Sequence, residues 1–314
     1  MRSWSRAKLQ FCGVGEPEQQ ICYQPLAIEM PTQRHRLFSS GVRLGPNFLG
    51  SSGHTVSMAS QSEFEQLLDE ANKVPTVGWD FSWFVGRASE ERPTWAYSRS
   101  LTRRIQSSLA MLELQTGGGE RLAEMLSEVK RRPTTIVVTE SWSPNAALAK
   151  LNLAAFGVSV LELDDKADLP LPDNAFDLVC ARHPTTTLWN EIARVLQSGG
   201  TFFSQQIGSG TNSELADFMM GPQPISGSQS SQRAATLAGQ AGLEVTDLRE
   251  ESLPVVFFDV GAVVYFLRKV IWTVPDFTVE KYRERLFALH EHIQFHGSFQ
   301  SHARRFLIEA RKPN

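Results

Sequence analysis

The chain has 314 residues, 41% hydrophobic and 21% charged, with a formal net charge of −3. That composition is ordinary for a globular protein with a sizeable core, and the slight negative charge argues against a general polyanion binder, though not against a local basic patch. The three cysteines, Cys12, Cys22 and Cys180, stand far apart with no CxxC pair, so neither a disulfide scaffold nor a zinc site is indicated and a reducing compartment is the default.

Residues 1 to about 57 carry Ser, Gly, Pro and Gln clusters and six Lys/Arg against three Glu. This predicts a disordered extension. Arg2, Arg6 and Lys8 beside Trp4 also fit an organelle-targeting segment, which would make the protein mitochondrial instead of cytoplasmic, and Met58 fits an alternative start. Residues 63–71 have Phe64, Leu67 and Leu68 at helical spacing. Trp79, Phe81, Trp83, Phe84 and Trp95 then crowd a short stretch before Tyr97. They cap one edge of the core or form an aromatic lid over a substrate pocket, and both can hold at once. Residues 58–99 are read as an N-terminal cap segment.

From about Ser100, strand and helix alternate. Strands are expected at 110–116, 134–139, 158–163, 175–181 and 201–206, with helices at 120–129, 143–156 and around 188–196. Ser143 and Pro144 supply an N-cap and a first-turn proline, and Gly157 ends that helix. This rhythm implies a parallel sheet with helices on both faces. A Gly/Pro/Ser/Gln-rich loop follows at 221–231, then a helix at 234–241 and a strand at 243–248. Residues 253 to about 297 read as a mostly helical insert, and 306–310 as a last strand. The longest apolar run, near 255–267, is too short to span a bilayer and is interrupted by Asp259, so it reads as a buried helix.

The strand at 110–116 leads into three glycines, Gly117, Gly118 and Gly119, and then a helix. Glycine lets the backbone turn sharply and a ligand lie directly against it, where the unpaired N–H groups of the helix start face that ligand. Glu140 stands 21 residues after Gly119, at the tip of the second strand of the alternation. An acid there accepts hydrogen bonds from ribose hydroxyls. A nicotinamide dinucleotide needs a third glycine at G-x-G-x-x-G, where this chain has Leu122. A nucleoside without a pyrophosphate does not.

Residues 100 to about 210 resemble a class I S-adenosylmethionine-dependent methyltransferase of the type 11 kind. The family's acid-x-G-x-G-x-G motif falls on Glu113 to Gly119, with Gln115 in place of the first glycine. Its D-L-P-F-x-D-x-x-F-D-x-V motif falls on Asp168 to Val179, and its E-x-x-R-V-L-x-P-G-G motif on Glu191 to Gly200, with Ser198 for Pro. The resemblance implies an α/β, Rossmann-like, doubly wound seven-stranded sheet with helices on both faces, the last strand antiparallel and a helical insert before it, over residues 100–314. It implies S-adenosyl-L-methionine as cofactor, S-adenosyl-L-homocysteine as product, and no metal. It places cofactor contacts at Glu113, Gln115, Gly117, Gly118, Gly119, Glu140, Asp165, Lys166 and Arg182.

The protein's task in such an enzyme is to hold an acceptor in line with the methyl group and exclude water. His183 follows the fourth strand of the alternation and is the candidate base; a structural histidine is the plain alternative. Trp83, Arg87, Gln205 and Tyr265 are the candidate acceptor contacts, with Arg182 able to hold an acidic group. An apolar, partly aromatic roof suits a small organic acceptor better than nucleic acid, and no membrane association is expected. His290, His292 and His296 do not share one helix face, so no metal site is expected there. The alternatives are an RNA methyltransferase, a cofactor-binding protein without turnover and, last, a nicotinamide oxidoreductase.

Overall fold

The sheet is built around the short apolar strand β2 (Ala110–Leu114), whose Met111 and Leu112 are fully buried. The computed structural model describes residues 58–76 and 81–314. The readings made on residues 1–57 and on Trp79 lie outside the described residues.

β2 pairs in parallel with β3 (Thr135–Glu140) on one side and β5 (Phe176–Arg182) on the other. β3 carries β4 (Ser159–Glu162), and β5 carries β6 (Leu196–Ile207), both in parallel. The chain thus winds outward in one direction through β3 and β4, returns to the centre, and winds the other way through β5 and β6. A crevice opens at such a reversal, outside the carboxyl ends of the strands. β6 then pairs antiparallel with the last strand, β8 (Phe299–Arg311), and β8 antiparallel with β7 (Glu244–Phe257). These are the seven strands expected, with the last one antiparallel. An eighth, β1 (Ala88–Glu90), adds antiparallel to the β7 edge, giving the order β1-β7-β8-β6-β5-β2-β3-β4.

The helices divide the core into three clusters. On one face, α2 (Tyr97–Ser107) and α3 (Glu120–Glu128) bury Leu101, Ile105 and Leu126. On the other, α5 (Trp189–Val195) and α7 (Ser231–Gln240) pack over Phe202 and Ile308. α4 (Ser143–Leu153) follows β3, and α6 (Ser213–Met220) follows β6. The third cluster joins α1 (Met58–Lys73), α8 (Val260–Lys269) and α9 (Arg283–His296) around Tyr265, Phe84 and Phe257.

One boundary differs from the sequence expectation. Residues 253–257 are strand, not helix, and β8 begins at Phe299 instead of near Phe306. The reason is a period of two. Leu253, Val255 and Phe257 are buried while Pro254 and Val256 are not, and the pairing runs unbroken from Leu253↔Ala303 to Phe257↔Phe299. The long β7–β8 ribbon therefore rises past the end of the parallel strands and carries the helical pair α8 and α9 at its tip.

Phe203 on β6 shows how the α2 face is fixed. Its ring stacks on Tyr97 with centroids 5.1 Å apart, and the Arg104 guanidinium lies 3.9 Å from its centroid. Phe203→Ala should cost about 3–5 kcal/mol in chemical denaturation. Phe295→Ala, at a residue 84% exposed, should change stability by less than about 0.5 kcal/mol.

Candidate functional site

The carboxyl end of β2 turns through Gln115 into the glycine loop. Gln115 has φ +56°, and Gly117 and Gly119 have φ +68° and +78°. Glycine adopts this left-handed region freely, whereas a residue with a Cβ is strained by about 1–2 kcal/mol. The position where the related motif has its first glycine therefore does need a left-handed residue, and here glutamine takes the strain. Gly119 has a second constraint: a Cβ there would lie 2.9 Å from the Leu153 side chain and 3.3 Å from the Ala149 Cα. It lets the loop close against α4, where Asn152 also donates to the Gly118 carbonyl at 2.8 Å.

What Gln115 gains is a bridge across the crevice. Its Nε2 donates to the Thr186 carbonyl at 2.7 Å, and its Oε1 accepts from the Thr185 amide at 2.7 Å. Its own amide donates to Thr139 Oγ1 at 3.0 Å. The Thr185 hydroxyl lies 2.9 Å from Asp165 Oδ2 and serves that carboxylate. One buried residue, through its side chain and its own amide, thus ties the tips of β2, β3 and β5 together.

Glu140, at the tip of β3, is fully buried. Its Oε2 accepts from the Gly117 amide at 2.8 Å, and its Oε1 accepts from the amides of Ser141 at 3.1 Å and Trp142 at 2.9 Å. The acid expected beside the loop is therefore the group that pins it. Asp165 lies at the edge of a slot walled by Leu114, Leu163, Leu169, Leu188 and Ile192 and crossed by Gln115. Burial raises the Asp165 carboxyl above its ordinary value, against the hydrogen bonds from Thr185 and Ser141. The free volume of this slot is about 20 Å³, room for about one water. Lys166 is exposed, and its amide donates to Asp164 Oδ1 at 2.7 Å.

On the other side of β5 lies a larger cavity of about 230 Å³, lined by Arg182 and Gln205 with Glu90, Tyr97, Arg99 and Arg305. His183 sits beneath it, 1% exposed and with φ +55°. Its Nε2 accepts from Gln205 Nε2 at 2.8 Å, and Gln205 Oε1 accepts from Trp95 Nε1 at 2.6 Å. Burial pushes the imidazole well below its usual pKa, with Arg182 and Arg305 pushing the same way, so the ring is neutral. Of the four residues expected at the acceptor, Gln205 lines this cavity. Trp83, Arg87 and Tyr265 pack elsewhere. Trp83 meets Tyr265 edge-on at 5.2 Å in the α1–α8 cluster, and Arg87 pairs with Glu70 at 2.7 Å and Asp259 at 3.5 Å.

The Trp95–Gln205–His183 chain and the Thr185–Thr186 anchor for Gln115 are the parts sequence reasoning missed. Trp95 was pooled with the aromatic cap, from which it is separate. The run of Thr185, Thr186 and Thr187 directly after a strand tip was the available signal for the anchor.

Residues 112–204, a little under a third of the chain, match the family described as "Methyltransferase domain", of type 11. That stretch holds the glycine loop, Glu140, Asp165 and His183, and the resemblance to class I S-adenosylmethionine-dependent methyltransferases holds there. No curated protein matches the sequence. Among solved structures, the chain is similar to a protein from Bacillus halodurans C-125 described provisionally as a methyltransferase (17% identity over 68% of this chain and 98% of that one, TM-score 0.48). It is also similar to the YcgJ protein from Bacillus subtilis (15%, 69% and 98%, TM-score 0.49). A third is a SAM-dependent methyltransferase from Aquifex aeolicus (16%, 48% and 81%, TM-score 0.37).

Glu113, buried on β2, gives the site a pH signature. Burial pushes its carboxyl up to about 7, while the Thr116 hydroxyl at 2.6 Å and the Arg182 charge pull the other way. The folded protein holds this proton to higher pH than the unfolded chain, so Glu113's own contribution to stability is fully present below pH 4.5 and falls as pH rises to about 7. Glu113→Gln should remove this fall, worth at most about 3 kcal/mol, and flatten Tm against pH over that window. Equal slopes in both proteins would contradict the assignment.

Proposed function

We propose that this protein is an S-adenosylmethionine-dependent methyltransferase acting on a small organic acceptor. The observation that carries the reading is the glycine loop at the sheet's reversal point, pinned by the Glu140 carboxylate beside an apolar slot edged by Asp165. The slot walls suit a flat base, and an Asp165 oxygen accepts from an exocyclic amine. The loop backbone between Gly117 and Gly119 admits close approach of a nucleoside, and we assign the ribose hydroxyls to Glu140, which supports the loop from below. The bound cofactor supplies a methyl group already activated on a sulfonium.

The fit has one condition. A slot of about 20 Å³ does not accept an adenine, so the Gln115 bridge to Thr185 and Thr186 must release for the cofactor to enter. Gln115 then acts as a latch whose bonds compete with the ligand. No part of this reading asks His183 for a proton. The neutral ring accepts from Gln205 and fixes that amide, whose oxygen in turn accepts from Trp95 Nε1. His183 is therefore a positioning residue, and an acceptor that must lose a proton finds its base elsewhere. The closed slot also supports a second reading, that the chain keeps the domain but has lost the cofactor.

Calorimetric titration of the full chain with S-adenosylhomocysteine separates the two. Binding is expected, with no heat for NADH. Gln115→Gly should tighten it by about 30-fold, because two hydrogen bonds of about 1 kcal/mol each no longer oppose entry. Glu140→Gln should weaken it by about 10–100-fold, since an NH2 group then meets backbone N–H groups. A folded wild type and a folded Gln115→Gly protein that both fail to bind would leave the second reading standing.

A further inference from the structure

We infer that the 230 Å³ cavity between α2 and the tips of β5 and β6 is the acceptor site and that it selects an anionic acceptor, one bearing a carboxylate or phosphate group. The inference rests on the methyltransferase reading for the identity of the reaction, but the charge preference of the cavity stands on its own residues.

Position comes first. Arg182 ends β5, the direct neighbour of β2, so the cavity begins about one strand spacing, 4.8 Å, from the turn into the glycine loop. An acceptor lodged there lies beside whatever the loop holds. Charge comes second. The chain as a whole is acidic, at −3, yet the cavity gathers Arg92, Arg99, Arg182 and Arg305 against Glu90 and Glu91. Glu90 is answered by Arg305 at 2.8 Å, with both side chains under 5% exposed. The balance of the remaining lining charges is positive.

The neutral polar groups on the wall are already committed. The Tyr97 hydroxyl donates to the Ala181 carbonyl at 3.0 Å, and the Gln205 amide is held between Trp95 and His183. The charged groups lining the cavity are mostly guanidiniums, whose planar fork matches a carboxylate or phosphate. Two further features point the same way. Arg305 is only 4% exposed, and its Nε has no acceptor among the described residues although Glu90 and the Arg304 carbonyl take its other nitrogens. The N-terminus of the eleven-residue helix α2 also opens onto the cavity through Ala96, Tyr97 and Ser98, and no side chain caps it. The positive end of the helix dipole adds to the arginine field.

A carboxylate could come from two sources, the acceptor or the amino-acid end of the cofactor, and the experiment must tell them apart. The full chain is saturated with S-adenosylhomocysteine, and binding of 4-fluorobenzoate is compared with that of neutral 4-fluorobenzamide by fluorine NMR. The benzoate should bind at least about tenfold tighter than the benzamide. Arg182→Gln and Arg99→Gln should each reduce benzoate binding about tenfold and leave benzamide binding unchanged. Binding of S-adenosylhomocysteine and of 5′-methylthioadenosine, which lacks the carboxylate, should be equal in wild type and variants.

Equal binding of benzoate and benzamide, or a benzoate preference that survives both substitutions, overturns the inference. So does a loss of S-adenosylhomocysteine binding in the variants with 5′-methylthioadenosine unaffected, since the arginines then serve the cofactor. If the wild type fails to bind S-adenosylhomocysteine but keeps an arginine-dependent preference for benzoate, the methyltransferase reading falls and the anion site remains.

Discussion

Gln115 reaches from the end of β2 to the Thr185 amide and the Thr186 carbonyl, and the state of the candidate site depends on that reach. Parallel strands that wind in opposite directions leave a crevice where they part. Here a side chain on one lip bonds the backbone of the other lip. The residue bears left-handed strain to do so. Strain of this kind persists only where surrounding contacts hold it, and such positions cluster at ligand clamps and switch regions. His183, the second strained residue of the crevice, sits at the tip of the neighbouring strand and is held just as firmly, through Gln205 and Trp95.

The two sides of the crevice differ in character. The side over β2, β3 and β4 is walled mostly by apolar side chains, edged by Asp164 and Asp165 and narrowed to the space of about one water. The side over β5 and β6 is open, polar and rich in arginine. The tips of β2 and β5, neighbours in the sheet, stand between the two. The division follows from chain order: the ends of β2, β3 and β4 and the start of α5 bring the slot residues, whereas β1, α2, the ends of β5 and β6, and β8 bring the cavity residues.

Much of this was legible in the sequence. The strand–glycine–helix unit and the period of the parallel strands were enough for the sheet, and the acid 21 residues beyond the loop pointed to the end of β2 as the candidate site. Three things were not legible. The apolar run after Leu253 was read as helix because short apolar runs do not reveal their period without a partner strand, and β8 lies far away in sequence. Trp83, Arg87 and Tyr265 were expected at the acceptor because aromatic clusters read alike whether they roof a pocket or fill a satellite core. They join α1 to α8 instead. The bond partners of Gln115 and Gln205 depend on side-chain reach across strands, which spacing along one chain does not encode.

The most direct test of the account is a crystal structure of the full chain with S-adenosylhomocysteine. The account predicts the ligand in the slot beside Asp165, its ribose at Glu140, and the Gln115 side chain swung off Thr185 and Thr186 with the glycine loop unchanged. A ligand bound elsewhere, or one seated in the slot with the Gln115 bridge intact, would contradict it.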